Sequence, residues 1–125
     1  MKVILSIRPE FAEKIFNGTK RFEFRRRIYK NEAVKSVIVY ASAPICKVIG
    51  EFEIETVHHD DLNSLWESTF EFAGISEDFY REYFNGKESG YAIEVKKVRK
   101  YREPLGIRES FGIGPPQSFA YIDFR

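Results

Sequence analysis

Hydrophobic and polar positions alternate between residues 20 and 27, which predicts a β-strand there. Phe22 and Phe24 fall on one face of this strand. The other face carries charged side chains, namely Arg21, Glu23, Arg25 and Arg27. The two aromatic rings are expected to anchor the strand in a core while acid and base face the other way. Lys20 has the parity of the phenylalanines, so we expect it to escape the core only as the first residue of the strand.

A strand over residues 2–7 and a short helix are predicted before this segment. Pro9 suits the first helical position, and Glu10 favours the positive end of the helix. An apolar stripe follows, made of Phe11, Ala12, Ile15 and Phe16. Gly18 is expected to end the helix, because glycine adopts positive φ angles without a steric penalty.

Three further strands are predicted over residues 36–41, 47–57 and 91–101, with bulges near Gly50 and Lys96-Lys97. Two helices with apolar faces lie between the second and third of these strands. A turn-rich tail follows, in which Phe119, Tyr121 and Ile122 are expected to dock on the sheet. This order predicts an α+β fold, a mixed β-barrel of about five to six strands with a helix before the second strand and two helices before the last long strand.

The composition fits one folded domain over residues 1–125. Hydrophobic residues make up 43% and charged residues 31% of the chain, which excludes a disordered or membrane-spanning class. No apolar run is long enough to cross a bilayer, and Met1 leads directly into a strand pattern rather than a signal peptide. Cys46 is the one cysteine, so an internal disulfide is excluded, and we expect a structural role for it and a cytoplasmic location.

The net charge of +1 conceals a segregation of charge along the chain. Residues 1–35 hold ten Lys/Arg against four Asp/Glu, whereas residues 36–90 hold three against eleven. One interpretation is a basic face that binds nucleic acid. The alternative is two solvated faces of opposite sign.

The run His58-His59-Asp60-Asp61 contains residue types that bind metals. Adjacent residues in a strand point to opposite faces, so the two histidines are not expected to converge on one ion. Asp60 or Asp61 is better explained as the N-cap of the next helix. We therefore predict no metal site and no cofactor.

Residues Gly18–Arg25 match G-x-K-x-x-E-x-R at Gly18, Lys20, Glu23 and Arg25. This pattern resembles the signature of the ASCH domain family, within the PUA-like superfamily of β-barrels. The opening Leu5-Ser6-Ile7-Arg8-Pro9 and the later Gly90-Tyr91-Ala92-Ile93 also resemble family elements. The resemblance covers nearly the whole chain and implies a PUA-like barrel with a cleft beside the first helix.

The resemblance further implies binding of RNA, other nucleic acid or a nucleotide, in settings linked to transcription or translation. Some relatives are amidohydrolases that deacylate N4-acetylcytidine, and ribonuclease activity occurs in the family. The amidohydrolases resemble this chain at Lys20 and Arg25, but they carry Thr at the position of Glu23. They also use a second, distant Glu for which this chain shows no counterpart.

The residue types suit a ligand cleft. Lys20 and Arg25 are donors for phosphate or base acceptors, and ionised Glu23 accepts from an exocyclic amine. Further candidates lie near strand ends or in the tail, namely Ser6, Tyr40, Ser42, Gln117 and Ser118, with Tyr40 expected to stack on a base. The alternative is a structural ion network of Lys20, Glu23 and Arg25 that closes one end of the barrel.

Three functions remain open from the sequence: an RNA- or nucleotide-binding module, a hydrolase acting on a modified nucleoside or on RNA, and a regulator that binds a small metabolite. If the protein is an enzyme, Lys20 and Glu23 are the catalytic candidates. A carboxylate near Lys20 favours its charged form, so we expect Lys20 to be a poor general base. RNA or a nucleotide is the expected partner, and no membrane is.

Overall fold

The computed structural model describes residues 1–123, in which a mixed sheet is combined with short helices. The strands are β1 (Lys2–Ile7), β2 (Phe22–Arg25), β3 (Ser36–Ala41), β4 (Lys47–Asp61), β5 (Ser89–Leu105) and β6 (Phe119–Ile122). The helices are α1 (Pro9–Phe16), α2 (Leu62–Thr69), α3 (Glu77–Tyr83) and α4 (Ile107–Phe111), with a 3-10 turn at Phe70–Phe72. None of the helices in this part of the chain is long and apolar enough to cross a membrane.

The six strands form one sheet in the order β2-β5-β4-β3-β1-β6, so β2 and β6 are its edges. The predicted α+β class and number of strands are therefore confirmed, whereas the predicted barrel is not, because the sheet of residues 1–123 does not close. The reason lies in the tail, because β6 pairs with β1 and occupies the edge that a closing strand would need. The edge strand β2 nevertheless approaches β1, since the Arg25 side chain of β2 donates to the Ser6 carbonyl of β1 at 2.9 Å.

The long hairpin of β4 and β5 bends at the predicted positions. Its register shifts next to Gly50 and again where Glu53 pairs with Lys97 and Ile54 with Val95, which leaves Lys96 as the extra residue. A Cβ atom on Gly50 would lie 2.6 Å from the Phe16 ring. Glycine at this position therefore allows α1 to pack closely on the sheet.

Helix α1 covers one face of the sheet. On the other face, α2 and α3 cover β2 and β5, and α4 covers β1, β3 and β4. The first face buries aliphatic and aromatic side chains around Ala12 and Ile15, including Val3, Leu5, Val37, Val39, Phe52 and Ile93. The second face packs Phe24 and Ala92 against Leu65, Tyr80 and Phe84. The aromatic stripe of α3 therefore belongs mainly to the core.

The local predictions around the helices have mixed outcomes. Pro9 opens α1 and Gly18 follows it with a φ of 85°, as predicted. Asp61 is the N-cap of α2 and accepts from the Ser64 amide at 2.9 Å, and residues 1–123 contain no cluster of three metal-ligating groups. The tail docks on β1 as a regular strand, whereas Cys46 is exposed rather than packed.

Candidate functional site

A pocket of about 200 Å³ opens beside α1, where β2 meets the segment that leads into α3. It is lined by Ser6, Arg8, Phe11, Lys20, Glu23, Phe24, Arg25, Ile75, Phe79 and Tyr83. Four of the residues predicted from the sequence, Ser6, Lys20, Glu23 and Arg25, thus meet at one place.

Lys20 is buried in this pocket, with 1% of its surface exposed. The prediction that it escapes the core is wrong, because the segment of Ala73 and Gly74 packs over it. Its ammonium donates to the Ala73 carbonyl at 2.6 Å. Gly74, with a φ of 70°, makes the room: a Cβ atom there would lie 2.5 Å from the Lys20 Cβ.

The environment of Lys20 changes its acidity. Burial lowers the pKa of Lys20 to about 8, and it outweighs Glu23, whose charge raises the pKa. Lys14 and Arg25 lower the pKa further. The neighbouring carboxylate therefore favours the charged form of Lys20 as expected, but burial outweighs it, and Lys20 loses its proton at a lower pH than an exposed lysine does.

Glu23 and Arg25 form an ion pair of 3.1 Å, and each side chain is only about a tenth exposed. Arg25 also donates to the Ser6 carbonyl at 2.9 Å. The Arg25 Nε atom is buried without a hydrogen-bond partner among residues 1–123. Arg25 thus links the edge strand β2 to β1, and the ion pair presents a donor next to an acceptor at the pocket wall. The predicted structural network and the predicted ligand cleft therefore lie in the same place.

Aromatic rings form most of the remaining wall, and none of these aromatic residues was among the predicted site residues. Phe11 and Phe79 meet edge to face with centroids 5.3 Å apart. The guanidinium of Arg8 lies 5.5 Å from the Phe79 centroid, and the Lys20 ammonium lies 5.4 Å from that of Phe11. The helical spacing of Phe11 and Phe79 predicted core positions. Only the packing of α1 against α3 shows that both rings line a pocket.

Tyr40 and Ser42 do not reach this pocket. The Tyr40 ring is only 5% exposed and packs with Ile4, Ile38 and Val48, so it is not presented for stacking on a base. Burial and the neighbouring Cys46 thiol raise the pKa of its hydroxyl. Ser42 opens the turn after β3, where its carbonyl accepts from the Ile45 amide at 3.2 Å.

Gln117 and Ser118 line an adjoining groove of about 520 Å³ with Arg25, Arg26, Arg27, Tyr83 and Lys87. The groove shares Arg25 and Tyr83 with the pocket. The Ser118 carbonyl accepts from the Ser6 amide at 3.4 Å, and the Ser6 hydroxyl donates to the Pro116 carbonyl at 2.6 Å. These contacts place the tail beside the pocket.

Comparison with known proteins finds similarity along nearly the whole chain. The model of the ASCH domain matches residues 5–104. An "ASCH domain-containing ribonuclease" of Zymomonas mobilis subsp. mobilis is 35% identical over 97% of this chain and 84% of that protein. The large ribosomal subunit protein uL22 of Ureaplasma parvum serovar 3 is 29% identical over 96% of this chain, which spans only 39% of that protein.

Solved structures agree with this similarity. The crystal structure of ASCH from Zymomonas mobilis superposes with a TM-score of 0.89 at 33% identity, covering 98% of this chain and 87% of that one. A variant of the Zymomonas mobilis protein with one Ser replaced by Ala gives a TM-score of 0.90 at 32% identity, covering 98% and 88%. The mixed sheet with its helices is therefore the fold of these proteins.

Proposed function

Because the chain belongs to the ASCH domain family, we propose that it binds single-stranded RNA and holds one nucleobase in the pocket of Lys20, Glu23 and Arg25. The observation that carries this proposal is the nearly buried Glu23–Arg25 pair at the wall of an aromatic-lined pocket. We also infer that residues 1–125 form a single, PUA-like domain that works in the cytoplasm in a process linked to transcription or translation.

The chemistry of the pocket suits the edge of a base. A carboxylate accepts from an exocyclic amine, and the guanidinium beside it donates to a ring nitrogen or carbonyl. Cytosine and guanine both offer this combination of donor and acceptor. Phe11 and Phe79 supply apolar surface for a base, and about 200 Å³ accommodates one base rather than a base pair.

One relative supports RNA as the ligand. It is named a ribonuclease, and this chain covers 84% of it. A regulator that binds a small metabolite has no comparable support.

The test is the affinity of a nucleoside panel and of short single-stranded RNA for the wild type and for Glu23→Gln. We expect Glu23→Gln to weaken binding of cytosine- or guanine-containing ligands about tenfold, since one charged acceptor is lost. Glu53→Gln, on an exposed position of β4, is the matched control and should bind as the wild type does. Equal affinity for all three proteins would contradict a base site at Glu23.

RNA cleavage is the second candidate function, favoured by the ribonuclease relative and by the low pKa of Lys20. In this proposal the neutral Lys20 amine takes the proton of a ribose 2′-hydroxyl. The resulting oxygen attacks the adjacent phosphorus, and the 5′-oxygen leaves with a proton from water. The products are a 2′,3′-cyclic phosphate and a 5′-hydroxyl, while Arg25 stabilises the charge on the phosphorane.

The cleavage proposal is tested with one RNA and with the same strand carrying a single 2′-deoxy residue at the scissile position. We expect cleavage of the all-ribose strand only, with a rate that rises up to about pH 8 as Lys20 loses its proton. Lys20→Met should abolish it. Unchanged cleavage by Lys20→Met would move the catalytic group away from Lys20.

A further inference from the structure

The groove that adjoins the pocket is lined by basic and neutral side chains. Arg25, Arg26, Arg27 and Lys87 contribute its charge, and none of the described residues that line it is an Asp or Glu. Arg25 is neutralised by Glu23, which leaves three cations for a ligand.

Arg26 is held in position at this groove. Its Nε atom donates to the Tyr83 carbonyl at 2.6 Å, and its guanidinium lies 5.1 Å from the centroid of the Tyr83 ring. Arg27 and Lys87 are exposed, and neither makes an ion pair within residues 1–123. A fixed guanidinium beside two uncompensated cations is the arrangement expected for an anion.

The basic side chains on β5 differ from those of the groove, because they have acidic neighbours. On β5, Lys97 pairs with Glu53 and Arg99 pairs with Glu51 across the ladder, so acidic side chains accompany the basic ones. Basic residues that lie opposite acidic residues on a neighbouring strand form a solvated surface of balanced charge. The groove beside the pocket lacks such compensation.

We propose that the groove binds the RNA backbone, with a phosphodiester on Arg26, Arg27 and Lys87 next to the base held by Glu23 and Arg25. This inference rests on the proposed function of the pocket. Arg25 and Tyr83 line both spaces, so the base and phosphate sites are close enough for one ligand to carry both groups. The groove has more than twice the volume of the pocket, which suits a strand that continues beyond one nucleotide.

The experiment compares three probes: cytidine, cytidine 3′-monophosphate and a single-stranded RNA of five cytidines. The groove variant is Arg27→Gln with Lys87→Gln, and the control is Lys97→Gln with Arg102→Gln, which removes the same charge from β5. We expect the groove variant to bind cytidine unchanged and the RNA about tenfold more weakly, with a smaller loss for the monophosphate. The control should bind all three as the wild type does.

Equal RNA affinity for the groove variant and the control would overturn the phosphate site. A loss for the monophosphate as large as that for the RNA would overturn the assignment to an RNA strand in favour of a free nucleotide. Failure of the wild type to bind cytidine would instead contradict the base pocket. The phosphate site is tested separately, by the difference in RNA affinity between the groove variant and the control.

Discussion

Lys20 is a cation that the protein keeps out of water, and its effect on stability should depend on pH. Burial lowers its pKa from 10.5 to about 8 in the folded protein. The unfolded chain therefore binds more protons between these values, so this group's contribution to stability improves as pH rises through that window. Below about pH 8 both states carry the charge and the burial penalty is complete.

We expect the free energy of unfolding of the wild type, relative to Lys20→Met, to rise by about 2 kcal/mol between pH 7 and pH 9.5. Urea denaturation at several pH values measures this difference, and titration of tyrosines affects both proteins alike. Lys97→Met, at an exposed position of β5, is the control and should run parallel to the wild type. A constant difference for Lys20→Met would contradict the lowered pKa.

The two phenylalanines of β2 differ in burial although they share a face. Phe24 is 5% exposed and contacts Tyr80 and Phe84, whereas Phe22 is half-buried near His58. Phe24→Ala should lower the free energy of unfolding by about 3–5 kcal/mol, and Phe22→Ala by only about 1–2 kcal/mol. Chemical denaturation of both variants measures the order, and the reverse order would show that the edge of β2 is packed differently.

The amidohydrolases that this chain resembles carry a Thr where it has Glu23. A carboxylate in that place cannot form the same acyl intermediate as a hydroxyl, so we expect little or no turnover of N4-acetylcytidine by the wild type. A nucleoside turnover assay with wild type, Glu23→Thr and Lys20→Ala measures this. Efficient turnover by the wild type that is lost in Lys20→Ala would show that the protein is a deacylase. Activity that is present only in Glu23→Thr would support a pocket that binds its ligand without hydrolysing it.

At the scale of elements, Arg25 connects the edge strand β2 to β1. Removing it leaves the Glu23 carboxylate, 7% exposed, without its cation. Arg25→Ala should therefore lower the free energy of unfolding by about 3 kcal/mol, contrary to a residue that only binds ligand. The double variant Glu23→Gln with Arg25→Met should recover most of this loss, because neither buried charge remains.

The same variants separate stability from binding. The recovered double variant should still bind the base more weakly than the wild type, since the carboxylate and the guanidinium are both absent. A double-mutant cycle in urea, combined with nucleoside affinities, makes both measurements. If Arg25→Ala has the same free energy of unfolding as the wild type, the contact of Arg25 with the Ser6 carbonyl does not stabilise the fold.

At the scale of the whole molecule, charge segregation should appear as salt dependence. Three uncompensated cations border the groove, and each contact with a single-strand phosphate contributes about −0.7 to the slope of log affinity against log salt. We expect a slope of about −2 for short RNA. Filter binding or anisotropy at several salt concentrations measures it, and a slope near zero for RNA and DNA alike would contradict nucleic-acid binding.

The sequence by itself determined the local elements and the family. Pro9 and Gly18 mark the ends of α1, Asp61 and Ser76 cap their helices, and the alternation around Glu23 predicts a strand, because these signals depend on neighbours along the chain. The same short-range pattern predicts Lys20, Glu23 and Arg25 as residues of one site.

The tertiary structure decided what depends on distant segments. The tail strand β6 pairs with β1 and leaves the sheet open, which no local pattern could show. Gly74 makes room for Lys20 from more than fifty positions away, and the balance of burial against the Glu23 charge then sets the Lys20 pKa. Tyr40 is buried in a core cluster for the same reason. Burial depends on contacts from every part of the fold, whereas alternation along one strand shows only the side of the sheet to which a residue points.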